Sequence, residues 1–92
     1  MSDRFDYSEA EKKKIFDEAK SHFLTSFREF KVEEDKGNKE GTIKKLASLV
    51  DSLACFRAID VIFFNRDNAE SIAKCEAITD ACLERAIKLI KG

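Results

Sequence analysis

Three stretches of the chain carry apolar residues at the spacing of an α-helix. In the first, the apolar positions recur at intervals of three and four residues. Ser8 followed by Glu11 has the spacing of a capping box, so the first helix is predicted to begin at Ser8 and to end within residues 32–36. The apolar stripe of this helix consists of Phe16, Ala19, Phe23, Phe27 and Phe30.

The second stretch is predicted to form a helix from about residue 43 to residue 64, with Thr42 as its N-cap. It follows a segment that contains two of the three glycines, residues 36–41, which is predicted to be a loop. A single apolar stripe in the first half indicates that one face of the helix lies on a core. This stripe is Leu46, Val50 and Leu53.

The second half of this helix, residues 53–64, is apolar on all sides apart from two charged residues. A helix that is apolar all round is buried from more than one direction. Ile59, Ile62 and Phe63 project away from the first stripe, and leaving them in water would forfeit roughly 1.5–3 kcal/mol each. The sequence therefore predicts that a second copy of the chain covers these residues, in a homodimer or a higher homo-oligomer.

The third stretch, residues 69–90, has the most regular apolar face, and small side chains run down its centre. Because cores pair large side chains with small ones, the phenylalanine stripe of the first helix is the expected complement. Short connections favour antiparallel neighbours, so the sequence predicts an all-α, up-down-up three-helix bundle over residues 8–92, after an N-terminal extension of residues 1–7. The small residues are Cys75, Thr79, Cys82 and Ala86.

Composition and charge narrow the classes of function. Lys and Arg number 17 against 18 Asp and Glu, and the pI is about 5.9, which argues against a surface for nucleic acid. The N-terminus is polar and carries no signal-peptide core. The longest apolar run contains two charges and is too short to span a bilayer. We therefore expect a cytoplasmic protein that binds neither nucleic acid nor membrane.

Cysteine, histidine and acidic residues do not form a recognisable site. Cys55, Cys75 and Cys82 are an odd number within helical patterns, which indicates reduced thiols. Zinc ligands usually come in pairs two to four residues apart, and that spacing is absent, so no metal or other cofactor is expected. His22 has no neighbouring nucleophile or orienting group, and the consecutive acids of residues 33–35 cannot converge on one helix face. We expect a protein that is not an enzyme.

Arg57 and Asp60 are the two charged residues of the apolar run, and their i,i+3 spacing allows the side chains to meet. Either charge costs several kcal/mol in an apolar environment unless it is paired. Three interpretations stay open. The residues form a structural ion pair, within the protomer or across the dimer interface; they reach water from a partly open face; or they form a polar pair in a cleft for an anionic ligand.

The leading hypothesis is a small helical interaction protein that acts as a homo-oligomer and binds and modulates, for example inhibits, a second protein. The two-sided apolar helix, on a chain without a catalytic motif, supports it. The alternative is an oligomeric protein that binds or sequesters a small anionic ligand, such as a nucleotide. The binding residues would then be Arg57, Asp60, Phe56 and Phe63.

Overall fold

The structure, a computed structural model, describes residues 7–92 and confirms the predicted all-α fold. Within these residues there are three helices and no strand, and the folded chain measures 52 × 19 × 18 Å. Residues 1–6 of the predicted N-terminal extension lie outside the described residues. The helices are α1 (Glu9–Asp35), α2 (Lys39–Phe64) and α3 (Ala69–Lys91).

Neighbouring helices are antiparallel, as the short connections predict. Near the end of α1, the Glu29 carboxylate forms a salt bridge with Lys45, near the start of α2, with 3.3 Å between Oε1 and Nζ. Earlier in α1, Phe16 packs against Phe64 at the end of α2, with ring centroids 5.3 Å apart. The sequence order of the contacts is therefore reversed between the two helices. α2 contacts both of its neighbours, and α1 and α3 also contact each other, through a salt bridge between Glu34 and Arg85.

The predicted capping box starts α1. The Ser8 hydroxyl accepts the Glu11 backbone N–H at 3.1 Å, and the Glu11 carboxylate accepts the Ser8 backbone N–H at 2.9 Å. Because the charged carboxylate receives the backbone N–H and is further stabilised by the Ser8 hydroxyl, the pKa of Glu11 lies below its ordinary value. α1 ends at Asp35, within the predicted range.

α2 begins at Lys39, earlier than predicted, because a different residue caps it. Asn38 is the N-cap, and its side-chain oxygen accepts the Gly41 backbone N–H at 3.1 Å. The prediction that Thr42 is the cap is wrong: Thr42 is buried inside the first turns and donates its hydroxyl to the Asn38 carbonyl at 2.7 Å. Gly41 lies in the first helical turn of α2, although the two glycines of residues 36–41 had suggested that this whole segment is a loop.

The core contains both the large side chains of α1 and the small side chains of α3. On α1, Phe23 and Phe30 are fully buried. On α3, the small residues at the centre of the apolar face are all buried and belong to the same core. The buried apolar residues are Ala19, Phe23, Phe30, Leu49, Leu53, Phe56, Ile72, Cys75, Cys82 and Ala86.

Two of the three α2 residues that were predicted to face the core do so: Leu53 is buried and Leu46 packs against the core. Val50, the third, is 47% exposed. The helix is apolar around most of its circumference, so two stripes satisfy the helical period. The observed one buries the larger leucine and phenylalanine side chains and therefore removes more apolar area from water. The stripe consists of Leu49, Leu53, Phe56 and Asp60.

Candidate functional site

Arg57 and Asp60 have different partners, so the interpretation of an ion pair between them within the protomer is wrong. Arg57 is half exposed and forms a salt bridge with Glu76 of α3. Asp60 is 3% exposed and accepts two hydrogen bonds from Asn68 at the start of α3. The donors are the backbone N–H of Asn68, at 3.1 Å, and its side-chain nitrogen, at 2.9 Å. Each charge therefore links α2 to α3 separately.

Asp60 also organises the turn between these helices through its backbone. Its carbonyl oxygen accepts the N–H groups of Asn65 and Arg66. Both of these residues have positive φ angles, 49° and 66°, which reverse the chain direction after α2. A buried carboxylate is costly unless it is hydrogen-bonded, and Asn68 supplies that compensation. Asp60 is thus a structural residue that fixes where α3 begins.

The apolar residues predicted for a binding site or an interface differ in their exposure. Phe56 is fully buried in the core and presents no surface to a ligand. Phe63 is half-buried, with the Tyr7 ring packed edge-on against it at 5.3 Å between centroids. Ile59 is also half-buried, whereas Ile62 is largely exposed. Ile59 and Phe63, which were predicted to need a second copy of the chain, are therefore partly covered within the protomer.

Most of the exposed aliphatic surface lies instead along the edge where α2 and α3 run side by side. Of the ten large apolar side chains that are exposed in residues 7–92, six have a helical spacing from Arg57 or Glu76 that puts them on the side of this ion pair, and each is 42–47% exposed. We call this surface, together with the Arg57–Glu76 ion pair, the α2–α3 face. Its aliphatic members are Ile43, Val50, Val61, Leu83, Ile87 and Ile90.

The Arg57–Glu76 ion pair sets the register of this face. Seven residues are close to two helical turns, so residues seven apart lie on the same side of a helix. For helices that stay parallel, counting seven and fourteen residues back from Arg57 along α2 and forward from Glu76 along antiparallel α3 gives two further pairs that we expect to lie level with each other. We call these levels tiers: one is ionic and two are aliphatic. The tiers are Arg57 with Glu76, Val50 with Leu83, and Ile43 with Ile90.

On α2 the exposed stripe repeats at alternating intervals of four and three residues. This is the spacing of residues that contact a partner helix in helical bundles and coiled coils. Two of its positions are alanines, which leave room for large side chains of an opposing surface. The stripe consists of Ile43, Ala47, Val50, Ala54, Arg57 and Val61, all of them exposed.

A polar seam between α1 and α2 was not predicted from the sequence. Ser26 bonds to Ser48 and Ser52, each at 3.2 Å, and the Ser52 hydroxyl lies 2.8 Å from Nδ1 of His22. The Ser52 hydroxyl also lies 2.8 Å from the Ser48 carbonyl oxygen, and its single hydrogen can be donated to that carbonyl or to His22, but not to both. His22 therefore has a neighbouring hydroxyl, contrary to the expectation from the sequence. The seam links α1 to α2, and the i,i+4 spacing of its polar residues on each helix is the signal that could have revealed it.

The alternative hypothesis of an anionic ligand requires a cleft beside Arg57. A groove with a volume of about 330 Å³ lies there. Two cations, Arg57 and Arg66, line it together with two carboxylates, Asp60 and Glu76. Arg57 is already bonded to Glu76. An anion would have to displace that carboxylate and would meet a second one nearby, so the geometry does not favour this alternative.

The thiols and the remaining chemistry add little to the site. Cys55 is exposed, whereas Cys75 and Cys82 are buried, and burial raises the pKa of both buried thiols. Among residues 7–92, no cluster of His, Cys, Asp and Glu side chains has an arrangement that would hold a metal ion. None of the three described helices combines the length and hydropathy needed to cross a bilayer.

Comparison of the chain with protein-family models, with curated proteins and with solved structures found no match.

Proposed function

We propose that this protein is a small, non-enzymatic interaction protein that forms a homodimer through the α2–α3 face. The observation that carries the proposal is the tiered aliphatic surface on two adjacent helices. In the dimer, the opposite flank of α2, with Ile62, is left for a second protein that the dimer binds and modulates. The three free cysteines fit the reducing cytoplasm, which we propose as its location.

The size of the face supports a specific interface. The tiers extend over about two-thirds of α2 and α3, and two adjacent helices give a footprint of roughly 30 × 20 Å. Two such footprints correspond to about 1,200 Å² of covered surface, at the lower end of the range for specific protein–protein interfaces. Contiguous apolar patches larger than a few hundred Å² are also rare on monomers unless they are interaction sites.

The charges of the face support a second copy as its occupant. The only ion pair among its tiers combines one positive and one negative side chain, Arg57 and Glu76. Asp80 is exposed and lies seven residues before Ile87, on the same side of α3, so the face carries one cation and two anions. A second copy is therefore attracted where its Arg57 lies near the acidic side chains of α3. A partner with a strongly charged surface would gain nothing from a face with this composition.

The proposal is tested by placing a carboxylate in the centre of the face. Val50→Glu should convert the dimer to a folded monomer, because a charge would otherwise be buried between aliphatic tiers. Leu24→Glu is the matched control, since Leu24 is also exposed but lies on α1, outside the face. Light scattering after size exclusion gives the masses, and circular dichroism verifies the helical content.

We expect the wild type and Leu24→Glu to have about twice the monomer mass of 10.5 kDa, and Val50→Glu to have the monomer mass. A wild-type monomer at high micromolar concentration would contradict the proposal. So would a Val50→Glu variant that remains a dimer with the same stability as the wild type.

A further inference from the structure

We infer that the two α2–α3 faces meet tier on tier, about a two-fold axis parallel to the helices, and that Arg57 and Glu76 determine this arrangement. The inference rests on the proposed dimer and specifies how its two copies recognise each other. The ion pair would then act as a specificity determinant of the interface, in addition to linking α2 with α3 inside each protomer.

The symmetry of a dimer leaves two simple arrangements for this face. A two-fold axis between two packed layers must lie in the plane between them. If it is parallel to the helices, α2 of one copy lies over α3 of the other, and every tier stays level with its own copy. If it is perpendicular to the helices and passes through the middle tier, the ionic tier of each copy lies over the aliphatic tier of Ile43 and Ile90.

The charges of the ionic tier distinguish these arrangements. With the axis parallel to the helices, Arg57 lies beside its own Glu76 and also beside the partner's Glu76, so four charges alternate in sign around the interface. With the axis perpendicular, Arg57 and Glu76 would be covered by aliphatic side chains, and desolvating them without new partners is unfavourable. Both side chains are about half exposed, so they are accessible to a partner.

The distribution of large and small residues agrees with the parallel axis. Ile87 follows Glu76 by eleven residues, about three turns, and so lies close to the level of Ala47 on antiparallel α2. In the tier-on-tier arrangement α2 of one copy faces α3 of the other. Ile87 of each copy then lies opposite the small Ala47 of its partner, as interdigitating side chains require.

The test exchanges the two charges within one chain, as Arg57→Glu with Glu76→Arg. The variant retains an alternating set of four charges when it pairs with itself, so it should form a homodimer. When it pairs with the wild type, however, each charge lies beside a like charge of the other copy. The swapped variant and the wild type are therefore expected to exclude each other.

The measurement mixes equal amounts of isotope-labelled wild type and unlabelled variant and quantifies the dimers by native mass spectrometry after exchange. Free mixing would make half of the dimers mixed. Two attractive contacts become repulsive, so we expect the mixed dimer to be weakened at least tenfold and to fall to about one-tenth of all dimers. The matched control exchanges the Glu29–Lys45 pair on the α1–α2 flank and should mix freely with the wild type.

The possible results separate this inference from the proposed dimer. A swapped variant that dimerises but mixes freely with the wild type would refute the tier-on-tier arrangement and leave the dimer intact. A monomeric wild type would refute both. If the swapped chain fails to fold, the single variants Arg57→Glu and Glu76→Arg replace it: each should dimerise poorly alone, and the two should pair preferentially with each other. Equal pairing of these single variants in all combinations would also refute the arrangement.

Discussion

Asp60 should contribute to stability through Asn68 and not through Arg57. The residue is the one carboxylate in the core of the described residues, 3% exposed, and both of its side-chain hydrogen bonds come from Asn68. Three substitutions separate the contributions. Asp60→Asn preserves the shape and removes the charge, Asn68→Ala removes one of the two donors, and Arg57→Ala removes the neighbour that the sequence had suggested as a partner.

The expected magnitudes follow from the geometry. A hydrogen bond to a charged group contributes about 1.5–3 kcal/mol, compared with about 1 kcal/mol for a neutral one. Asn68→Ala should therefore lower the free energy of unfolding by about 2 kcal/mol, and Asp60→Asn by about 1–3 kcal/mol, because both bonds lose their charge assistance. Arg57→Ala breaks one half-exposed ion pair, so we expect a loss below about 1 kcal/mol.

Double-mutant cycles provide the test, with urea unfolding followed by circular dichroism at one fixed protein concentration. The pair Asp60 and Asn68 should show a coupling energy of more than about 1 kcal/mol, because they share a buried contact. The pair Arg57 and Asp60 should be additive within about 0.5 kcal/mol. A coupling between Arg57 and Asp60 as large as that between Asp60 and Asn68 would refute the assignment of partners.

Four other outcomes test the fold. Asn38→Ala should lower the free energy of unfolding by about 1 kcal/mol, measured by urea titration, because the N-cap of α2 is lost. Gly37→Ala should cost about 1–2 kcal/mol in the same assay, since Gly37 has a φ of 71°. Burial raises the pKa of the Cys75 and Cys82 thiols, so the stability they contribute is complete below the pKa of an unfolded thiol and is lost as the pH rises through the folded value. Cys82→Ala should therefore flatten the fall in melting temperature at alkaline pH, and a thiol reagent should modify exposed Cys55 before either buried cysteine.

Local signals in the sequence were sufficient for α1 and α3. The start of α1 depends on Ser8 and Glu11, which are three residues apart. The side chain of each residue accepts the backbone N–H of the other. The face of α3 is unambiguous because its small residues, such as Cys82, follow one helical stripe with charged residues opposite. In both helices the pattern identifies the side that faces the core, although on α3 the exposed residues Leu83, Ile87 and Ile90 extend the apolar surface beyond it.

The rotation of α2 could not be predicted in the same way. Val50 and Leu49 are neighbours on a helix that is apolar on most sides, and only contact with both α1 and α3 determines which of them is buried. The role of Asp60 was equally hidden. Its partner Asn68 lies beyond a turn whose shape depends on the positive φ angles of Asn65 and Arg66, which the sequence does not reveal.

The candidate site was predicted in part. The sequence indicated correctly that α2 has more apolar surface than one core stripe can bury. It named Ile59, Ile62 and Phe63 for this surplus. Ile62 is 47% exposed, whereas Phe63 is half-buried against Tyr7, a contact between residues distant in the sequence. The α2–α3 face also needs the register between two helices, which becomes visible only through the Arg57–Glu76 contact.

The most direct test of the central claim, self-association through the α2–α3 face, is a dilution series of the isotope-labelled wild type, followed by amide NMR from millimolar to low micromolar concentration. We expect concentration-dependent shifts at amides around Val50 and Leu83 and unchanged signals around Leu24. Spectra that do not change with concentration, or shifts centred on Ile59 and Ile62, would contradict the claim.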